Sequence, residues 1–387
     1  MKDVVVVDAV RTATGRFGGC FKNYSAVDLA ATLIEQCLIR SDLTGRDIDE
    51  VIMGMVYQGG ARANPARQAV LSAQLPYEVT AMSINKLCGS GLQSVGLAWQ
   101  ALQTGSADVV LAGGMENMSQ VPYVLPGARW GQRLGHGAVE DMLLIDGLWD
   151  CFYDCHMGMT AENLAEQYSI DRAMQDDFAV ESQRRWGQAQ SEGRFDGEII
   201  PVSVEERGRT VVCSVDEHPR PDVTVEQLNE LKPAFKKEGT VTAGNASGVN
   251  DGAAALVLAT AAPAAAKGLV PRARILGWGH AGVDPSVMGL GPVKAVPIAL
   301  QRAGIGLEEI DVIEANEAFA AQACAVAREL EFDPEKTNVN GSGISLGHPI
   351  GATGAILVVK AIHELERSEG WYGLITMCIG GGQGIAL

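Results

Sequence analysis

The sequence is poor in positive charge and has no long apolar run. Lys and Arg number 30 against 47 Asp and Glu, so the formal net charge is −17. Nucleic-acid binding needs clustered basic residues, and this deficit argues against a broad surface for nucleic acid. No stretch reaches the roughly eighteen apolar residues that a membrane-spanning helix requires. We therefore expect neither nucleic acid nor a membrane as partner.

The N-terminus lacks the features of an export signal. Asp3 stands beside the apolar run 4–7, which is too short for the core of a signal peptide. We therefore expect a cytoplasmic protein. The eight cysteines stand at irregular positions and do not form a secreted disulfide framework. Cys151, Cys155 and His156 have the chemistry of zinc ligands, but no second cysteine pair follows at a suitable distance, so we predict no metal site.

The length and the pattern of apolar residues predict a large α/β protein. A chain of 387 residues is too long for one small core, which favours two domains or one duplicated unit. Strand patterns alternate with helix patterns, and this alternation predicts a mainly parallel sheet. The predicted strands lie at 4–9, 48–57, 80–85 and 108–114, and the predicted helices at 26–38, 66–73 and from 92 onward.

The alternation of strand patterns with helix patterns is interrupted between residues 119 and 249. Loops rich in Gly, Pro and Trp surround charged helices at 161–167 and 171–193. We interpret this region as an inserted loop domain, because such insertions commonly build substrate pockets. Its C-terminal part is expected to return to the first half. The predicted division is therefore an N-terminal half at 1–118, the insertion at 119–249 and a C-terminal half at 250–387.

Three segments of the first half have counterparts, in the same order, in the second half. The matched pairs are 49–54 with 310–315, 88–91 with 348–351, and 110–114 with 377–381. One such match would be chance, but three in order indicate a duplicated α/β unit. Two copies related by a pseudo-twofold axis would bring the turns at 88 and 348 together at the centre.

Cys88 stands between a predicted strand and a predicted helix. Gly89, Ser90 and Gly91 allow a tight turn there, and the free N–H groups of the new helix point back at the sulfur. Those dipoles are expected to favour a thiolate, the form in which cysteine is a nucleophile. Most single cysteines are buried and inert, so the assignment of Cys88 as a nucleophile depends on the residues found in the rest of the chain.

Three residues of the second half also have chemical character. Asn316 follows a predicted strand, His348 lies among glycines, and Cys378 ends an apolar strand before Gly380. Each has a purely structural alternative. Asn316 could cap a helix that begins at Glu317, His348 could be a buried hydrogen-bonded side chain, and Cys378 could be core.

Together with Cys88, these residues supply each role in a Claisen-type reaction of thioesters. His348 would take the proton of Cys88, and the thiolate would attack an acyl thioester to form an acyl-enzyme. Cys378 would then remove a Cα proton from a second thioester. A water held by Asn316, together with His348, would stabilise the enolate oxygen. The backbone N–H groups near Cys88 and Gly380 would serve the acyl carbonyl.

The sequence blocks that carry these residues resemble the signatures of the thiolase family. They read NKLCGSG, GGMENMS, NEAFAAQ, NGSGISLGHPIGATG and CIGGGQG, in this order, and the similarity spans 4–386. The resemblance implies an α/β protein with a five-layered αβαβα core of two βαβαβαββ halves and an inserted loop domain that binds coenzyme A. It also implies a homotetramer built as a dimer of dimers. By position it assigns Cys88 as the acyl carrier, His348 as its base, Cys378 as the Cα acid and base, and Asn316 as the holder of an oxyanion water.

Within the family the chain resembles the short-chain acetyl-CoA acetyltransferases. Their His-Met pair beside the pantetheine tunnel corresponds to His156 and Met157, and a second pocket methionine to Met288. Bulky methionines near the acyl end would leave room for small acyl groups only, although core methionines are commoner. The resemblance implies further coenzyme A contacts at Leu148, Arg220, Phe235, Ala243, Ser247, Ala318 and Phe319.

The implied activity is acetyl-CoA C-acetyltransferase, a reversible condensation of two acetyl-CoA to acetoacetyl-CoA and CoA through acetyl-Cys88. Coenzyme A thioesters are then the substrates, with no separate cofactor, and the setting is fatty acid metabolism. A broad-chain 3-ketoacyl-CoA thiolase of β-oxidation is the alternative within the family. Two further alternatives are a decarboxylating ketoacyl synthase and a non-catalytic acyl-CoA-binding protein. The synthase would not need Cys378 as a second catalytic cysteine. The binding protein would bind acyl-CoA without covalent acylation of Cys88. A redox-sensing disulfide between the two cysteines also stays open.

Overall fold

The alternating elements form as their hydrophobic periodicity predicts. The computed structural model describes residues 2–206 and 208–387. The strands are β1 (Val4–Arg11), β2 (Gly15–Arg16), β3 (Glu50–Gly54), β4 (Thr80–Ile84), β5 (Val109–Asn117), β6 (Tyr123–Val124), β7 (Glu140–Asp141), β8 (Trp149–Asp150), β9 (Cys155–His156), β10 (Val202–Glu206), β11 (Arg209–Cys213), β12 (Asn250–Thr260), β13 (Ala273–Arg274), β14 (Gly279–Gly282), β15 (Val312–Ala315), β16 (Gly373–Ile379) and β17 (Gln383–Ala386). The helices are α1 (Ala26–Arg40), α2 (Pro65–Ser72), α3 (Ser90–Thr104), α4 (Met157–Gln167), α5 (Arg172–Ser191), α6 (Val225–Asn229), α7 (Ala261–Ala266), α8 (Gly291–Ala303), α9 (Ala320–Leu330), α10 (Gly343–Leu346) and α11 (Ile350–Ser368).

The four strands of the second sheet repeat the order and directions of four strands of the first, which confirms the predicted duplication. The first runs β13-β1-β12-β5-β3-β4, with β2 beside β12, and the second runs β14-β17-β16-β15. In the first, β12 is antiparallel to β1 and β5, and β5 is parallel to β3. In the second, β17 is antiparallel to β14 and β16, and β16 is parallel to β15. β3 and β5 therefore correspond to β15 and β16, as the sequence matches predict.

Two expectations about the sheets are corrected. The sheets are mixed rather than mainly parallel, because β12 and β17 each insert antiparallel between two other strands. β12 completes the first sheet, so the first half extends beyond residue 249 and the boundary predicted at 250 lies too early. A continuous apolar run shows that a strand is covered on both faces, but not which strands it joins.

A pair of helices separates the two sheets, and other helices cover their outer faces. Along β1, Val5 and Val7 pack outward with α1 and α2, whereas Val4 and Val6 pack inward with α3 and α11. β16 belongs to the same inner cluster, and α8 and α9 cover the outer face of the second sheet. From one side of the molecule to the other, the first layer is the helix pair α1 and α2, and the second is the first sheet. The third layer is the central helix pair α3 and α11, the fourth is the second sheet, and the fifth is the helix pair α8 and α9. This is the predicted five-layered αβαβα core.

The central helices approach so closely that only glycine fits at their contact. A β-carbon on Gly354 of α11 would lie 2.3 Å from the backbone nitrogen of Leu92 in α3, and one on Gly91 of α3 would lie 2.8 Å from the backbone nitrogen of Ala355 in α11. Gly91 and Gly354 lie near the N-terminal ends of α3 and α11, which follow Cys88 and His348. The two matched turns therefore meet at the centre of the molecule, as the pseudo-twofold arrangement predicts.

The inserted region packs on both halves. Its helix α4 contacts α9 of the second half, and the hairpin β10–β11 buries Val202 and Cys213 against the outer face of the first sheet. The C-terminal part of the insertion therefore lies on the first half. Among the described residues, no helix combines the length and the apolar composition needed to cross a membrane.

A buried ion pair joins α11 to the second sheet. Lys360 Nζ lies 2.6 Å from Oε2 of Glu314 on β15 and 2.6 Å from the carbonyl oxygen of Gly341. Both side chains are buried, and burial raises the pKa of Glu314 to about 7 although Lys360 opposes the rise. Because Glu314 stands two residues before Asn316, the pair helps to hold the end of β15.

We expect truncation of this ion pair to destabilise the fold. Lys360→Ala leaves a buried carboxylate without its cation, which typically costs about 3–5 kcal/mol of unfolding free energy. The exposed Lys294 on α8 is a matched control, and Lys294→Ala should change the unfolding free energy by less than about 0.5 kcal/mol. Urea unfolding followed by circular dichroism measures both variants. Equal losses in the two would contradict the role given to the pair.

Candidate active site

Cys88 occupies the turn between β4 and α3 that the sequence predicts. Leu87 adopts a left-handed conformation with φ 46°, and its carbonyl oxygen accepts the N–H of Ser90 at 2.9 Å. The Ser90 hydroxyl accepts the N–H of Lys86 at 2.8 Å and donates to the carbonyl oxygen of Leu87 at 2.7 Å. These bonds hold Cys88 immediately before the first turn of α3.

The end of β16 meets this turn and brings Cys378 and Gly380 to Cys88. The backbone N–H groups of Gly380 and of Cys88 itself lie close enough to the Cys88 sulfur to lower its pKa. Cys378 is completely buried, and Cys88 lies close enough to raise the pKa of the Cys378 thiol. A β-carbon on Gly89 would lie 2.4 Å from Cδ1 of Ile379, so glycine at 89 leaves the space that the Ile379 side chain occupies. The structure therefore brings the predicted nucleophile, the second cysteine and the Gly380 N–H together.

Burial dominates the ionisation of both thiols. Removal from water raises the pKa of Cys88, and the two backbone N–H groups oppose the rise only in part. Burial also raises the pKa of Cys378, with a further contribution from the neighbouring Cys88. The expectation that the dipole of α3 favours a resting thiolate is therefore wrong. Both residues are thiols at neutral pH, and each needs a base before it can act.

His348 precedes α11 and is held as a neutral imidazole. Its backbone N–H donates to Oδ1 of Asn250 at 3.0 Å, and its Nδ1 lies 2.7 Å from the hydroxyl of Thr353. Nε2 is buried and has no hydrogen-bonding partner among the described residues. Burial lowers the pKa of His348 to about 4, so the ring is neutral near pH 7. A neutral imidazole with an unpartnered nitrogen suits a proton acceptor.

Asn316 stands at the end of β15 with an unpartnered, buried amide. Its backbone N–H donates to the carbonyl oxygen of Thr376 at 3.0 Å. Within the part of the chain that the structure describes, neither Oδ1 nor Nδ2 has a partner. The alternative role as a helix cap is excluded, because α9 begins at Ala320 after Phe319. Since buried polar atoms are almost always hydrogen-bonded, this amide is suited to a substrate oxygen or a water.

Most of the predicted coenzyme A contacts form an apolar wall beside Cys378. His156 stacks on Phe235 with ring centroids 4.5 Å apart, and Phe235 meets Phe319 edge-on at 6.1 Å. The N–H of Ser247 donates to the carbonyl oxygen of Ala318 at 3.0 Å. One buried cluster contains Cys378 together with the predicted residues Met157, Met288, Ala318 and Phe319.

Three predicted contacts lie outside this wall. Leu148 packs in a different cluster, with Cys88 and Ile350. Arg220 and Ala243 are exposed. The backbone N–H of Arg220 donates to Oε1 of Gln183 at 2.7 Å, while an exposed guanidinium is suited to a phosphate group. Contact of these residues with coenzyme A stays a prediction.

Three polar residues next to the site were not predicted from the sequence. Asn250 accepts the backbone N–H of His348, and Thr353 contacts its ring. Glu116 accepts the N–H of Gly351 at 2.8 Å, and burial raises the pKa of this carboxyl to about 7. The signal that could have revealed Asn250 and Glu116 is a polar residue near the end of an apolar strand, at the start of β12 and towards the end of β5. For Thr353, the only signal in the sequence is its position in the first helical turn after His348.

Comparison with known proteins identifies the family. The family model described as "Thiolase, N-terminal domain" matches residues 4–262, and "Thiolase, C-terminal domain" matches 269–387, so the division falls after β12. The chain is 53% identical to an acetyl-CoA acetyltransferase of Pseudomonas aeruginosa, over 100% of this chain and 99% of the relative. It is 51% identical to the beta-ketothiolase BktB of Cupriavidus necator, over 100% of this chain and 98% of the relative.

Solved structures agree with the sequence relatives. Acetyl-CoA acetyltransferase of Bacillus anthracis superposes with a TM-score of 0.98 at 48% identity, covering 100% of this chain and 98% of that one. Human mitochondrial 3-ketoacyl-CoA thiolase in complex with CoA superposes with a TM-score of 0.95 at 45% identity, covering 100% and 97%. The chain belongs to the thiolase family and has the thiolase fold.

Proposed function

We propose that the chain is an acetyl-CoA C-acetyltransferase, which condenses two acetyl-CoA to acetoacetyl-CoA and CoA and catalyses the reverse thiolysis. The observation that carries this proposal is the convergence at Cys88. The Gly380 N–H lies close enough to its sulfur to lower the pKa of Cys88, Cys378 is close enough for Cys88 to raise the pKa of its thiol, and His348 of the matched turn has a buried Nε2 without a partner among the described residues. Full-length relatives named acetyl-CoA acetyltransferase and beta-ketothiolase support the same chemistry.

In the first half-reaction, the acetyl group moves to Cys88. Nε2 of His348 takes the thiol proton, and the thiolate attacks the thioester carbonyl of acetyl-CoA. The tetrahedral oxyanion is stabilised by the N–H groups of Cys88 and Gly380, which already point at this sulfur. When the carbon–sulfur bond to coenzyme A breaks, His348 returns the proton to the leaving thiolate. The products are acetyl-Cys88 and CoA.

In the second half-reaction, Cys378 generates the carbon nucleophile. Its thiol proton passes to Nε2 of His348, and the Cys378 thiolate removes a Cα proton from a second acetyl-CoA. The enolate oxygen is stabilised by the protonated His348 and by a water on the Asn316 amide. The Cα carbanion attacks acetyl-Cys88, the carbon–sulfur bond to Cys88 breaks, and His348 returns its proton to that sulfur. Both cysteines end as thiols, so the protons balance.

A methionine side chain limits the space at the reacting end. A β-carbon on Gly380 would lie 2.8 Å from Cε of Met157, so the thioether lies directly against Gly380. Met288 belongs to the same cluster as Met157 and Cys378. Because the Gly380 N–H is proposed to bind the acyl oxygen, bulky side chains beside it favour an acetyl group and oppose a longer chain. This supports the short-chain activity.

The chain-length preference is tested by thiolysis of acetoacetyl-CoA and of 3-oxodecanoyl-CoA. We expect kcat/KM to be at least ~100-fold higher for acetoacetyl-CoA, because each excluded methylene contributes about 1–3 kcal/mol. Met157→Ala should reduce this ratio by ~10-fold or more, since it opens the space beside Gly380. Met174→Ala, at a partly exposed methionine of α5, is the matched control and should leave the ratio unchanged.

Two outcomes would overturn the proposal. Comparable rates on both substrates would favour a broad-chain 3-ketoacyl-CoA thiolase, and human mitochondrial 3-ketoacyl-CoA thiolase is 45% identical to this chain. Turnover of neither substrate, with acyl-CoA bound but Cys88 unlabelled, would favour a binding protein on the thiolase scaffold.

We also propose a cytoplasmic homotetramer, a dimer of dimers acting in fatty acid metabolism, that uses only its coenzyme A thioester substrates. No separate cofactor is required in the two half-reactions proposed above, because a side chain of the protein carries out each proton transfer and each acyl transfer. Light scattering measures the assembly. Full activity after dialysis against a chelator would support the absence of a metal requirement.

A further inference from the structure

His348 shares a hydrogen-bond network with Thr353 in the first turn of α11. Nδ1 of His348 lies 2.7 Å from Oγ1 of Thr353, and the same hydroxyl lies 2.9 Å from the carbonyl oxygen of Pro349. The neutral network contains two hydrogens, the threonine O–H and the imidazole N–H. How they are distributed decides which nitrogen of the ring can accept a proton.

Only one distribution gives both hydrogens an acceptor. If Thr353 donates to the Pro349 carbonyl, its oxygen accepts the Nδ1–H of His348, and Nε2 keeps a lone pair. If Thr353 instead donates to Nδ1, the imidazole proton sits on Nε2, which has no partner among the residues described. A buried N–H without an acceptor is rare and costly, whereas an unused lone pair costs less.

Other threonines of the same chain support the first distribution. The hydroxyl of Thr104 donates to the carbonyl oxygen of Gln100 at 3.0 Å, and that of Thr32 donates to the backbone carbonyl oxygen of Asp28 at 3.0 Å. Both bonds span four residues within a helix, as the bond from Thr353 to Pro349 does. Donation to this carbonyl is therefore the ordinary behaviour of a helical threonine, although the carbonyl oxygen of Pro349 also accepts the backbone N–H groups of Ala352 and Thr353, both at 2.9 Å.

We propose that Thr353 is a positioning residue that holds His348 in the Nδ1–H tautomer and thereby keeps Nε2 as the proton acceptor for Cys88. The inference rests on the proposed function, in which Nε2 receives a proton in both half-reactions. The bond from the His348 backbone to Asn250 fixes the base of the side chain. Thr353 contacts the ring at Nδ1, so one bond to the backbone and one to the ring together define its direction.

The tautomer is measured directly by ¹⁵N NMR of protein labelled at its six histidines. The signals of His348 are identified by their loss in His348→Gln. We expect wild-type protein to show a protonated Nδ1 and a bare Nε2 at this residue. Thr353→Val keeps the shape of the side chain but removes its acceptor oxygen, and should increase the Nε2–H form. A wild-type spectrum with the proton on Nε2 would overturn the proposal, whether or not the valine variant folds.

The kinetic readout is exchange of the acetyl group between acetyl-CoA and labelled CoA, which involves the first half-reaction alone. Thr353→Val should lower kcat for exchange by ~100-fold, the usual range for general-base catalysis, and leave KM for acetyl-CoA within about threefold. Thr353→Ser restores the hydroxyl and should recover most of the rate. Thr104→Val makes the same chemical change at an exposed helical threonine, and should behave as wild type.

The outcomes separate this inference from the proposed function. A Thr353→Val enzyme with wild-type exchange and an unchanged spectrum would refute the positioning role while leaving the acetyltransferase intact. A parallel rise in KM and loss of thermal stability, without recovery by serine, would indicate a structural role only and would also refute it. Absence of thiolysis in wild-type protein would refute the proposed function, and the wild-type spectrum would still decide the tautomer.

Discussion

Cys88→Ser should abolish turnover in both directions. Serine has nearly the size of cysteine and leaves the turn between β4 and α3 intact. Its hydroxyl ionises far less readily than a thiol, so the neutral His348 cannot generate an effective nucleophile from it. The expected loss of kcat is ~1000-fold or more, which corresponds to at least ~4 kcal/mol of transition-state stabilisation. Steady-state thiolysis of acetoacetyl-CoA measures this loss.

The covalent intermediate gives a direct measurement of the same prediction. Wild-type protein incubated with acetyl-CoA should gain one acetyl group, located by peptide mapping at Cys88, and the serine variant should gain none. The exposed Cys151 offers a matched control, and Cys151→Ser should retain both acetylation and turnover. An acetyl group on another cysteine, or near wild-type turnover by Cys88→Ser, would rule out the assigned nucleophile.

Cys378→Ala should separate the two half-reactions. Acetyl exchange between acetyl-CoA and CoA needs the Cys88 thiol and His348, whereas condensation also needs a base for the Cα proton. We therefore expect condensation and thiolysis to fall by ~1000-fold, within the range for loss of a general acid–base group. Exchange should change by less than about tenfold. Isotope exchange and acetoacetyl-CoA formation, measured on one preparation, give both rates.

The position of Cys378 requires a control for packing. The side chain is completely buried in the cluster with Met157 and Met288, so truncation to alanine leaves a small cavity. Cys324→Ala, at a partly buried cysteine of α9, tests a similar truncation away from Cys88. It should retain condensation. Parallel loss of exchange and condensation in Cys378→Ala would contradict the separate role of Cys378, as would full retention of both.

The regular elements were predictable because their signals are local. The helix predicted at 26–38 is α1, Ala26–Arg40, and the strand predicted at 80–85 is β4, Thr80–Ile84. Hydrophobic periodicity within a segment decides such an element, and no distant contact is needed. The position of β12 was not predictable in this way. It joins β1 and β5, from which it is separated by more than one hundred residues.

The chemical groups of the site were also identifiable from sequence, but their ionisation was not. The turn at Cys88 was predicted with its glycines, yet the inference of a thiolate failed because the dipole of α3 was considered without the burial. The tertiary structure packs residues of β16 and α11 against Cys88, and removal of water then raises its pKa. The same burial lowers the pKa of His348 to about 4.

The duplicated α/β architecture, the two central turns and the residue types that carry the chemistry can be recognised in the sequence, since each depends on short-range pattern. The place of β12 in the first sheet, the thiol state of both cysteines and the bond from Thr353 to the ring of His348 depend on tertiary contacts. Strand pairing, desolvation and hydrogen-bond direction depend on which distant residues meet, and a linear pattern does not contain that information.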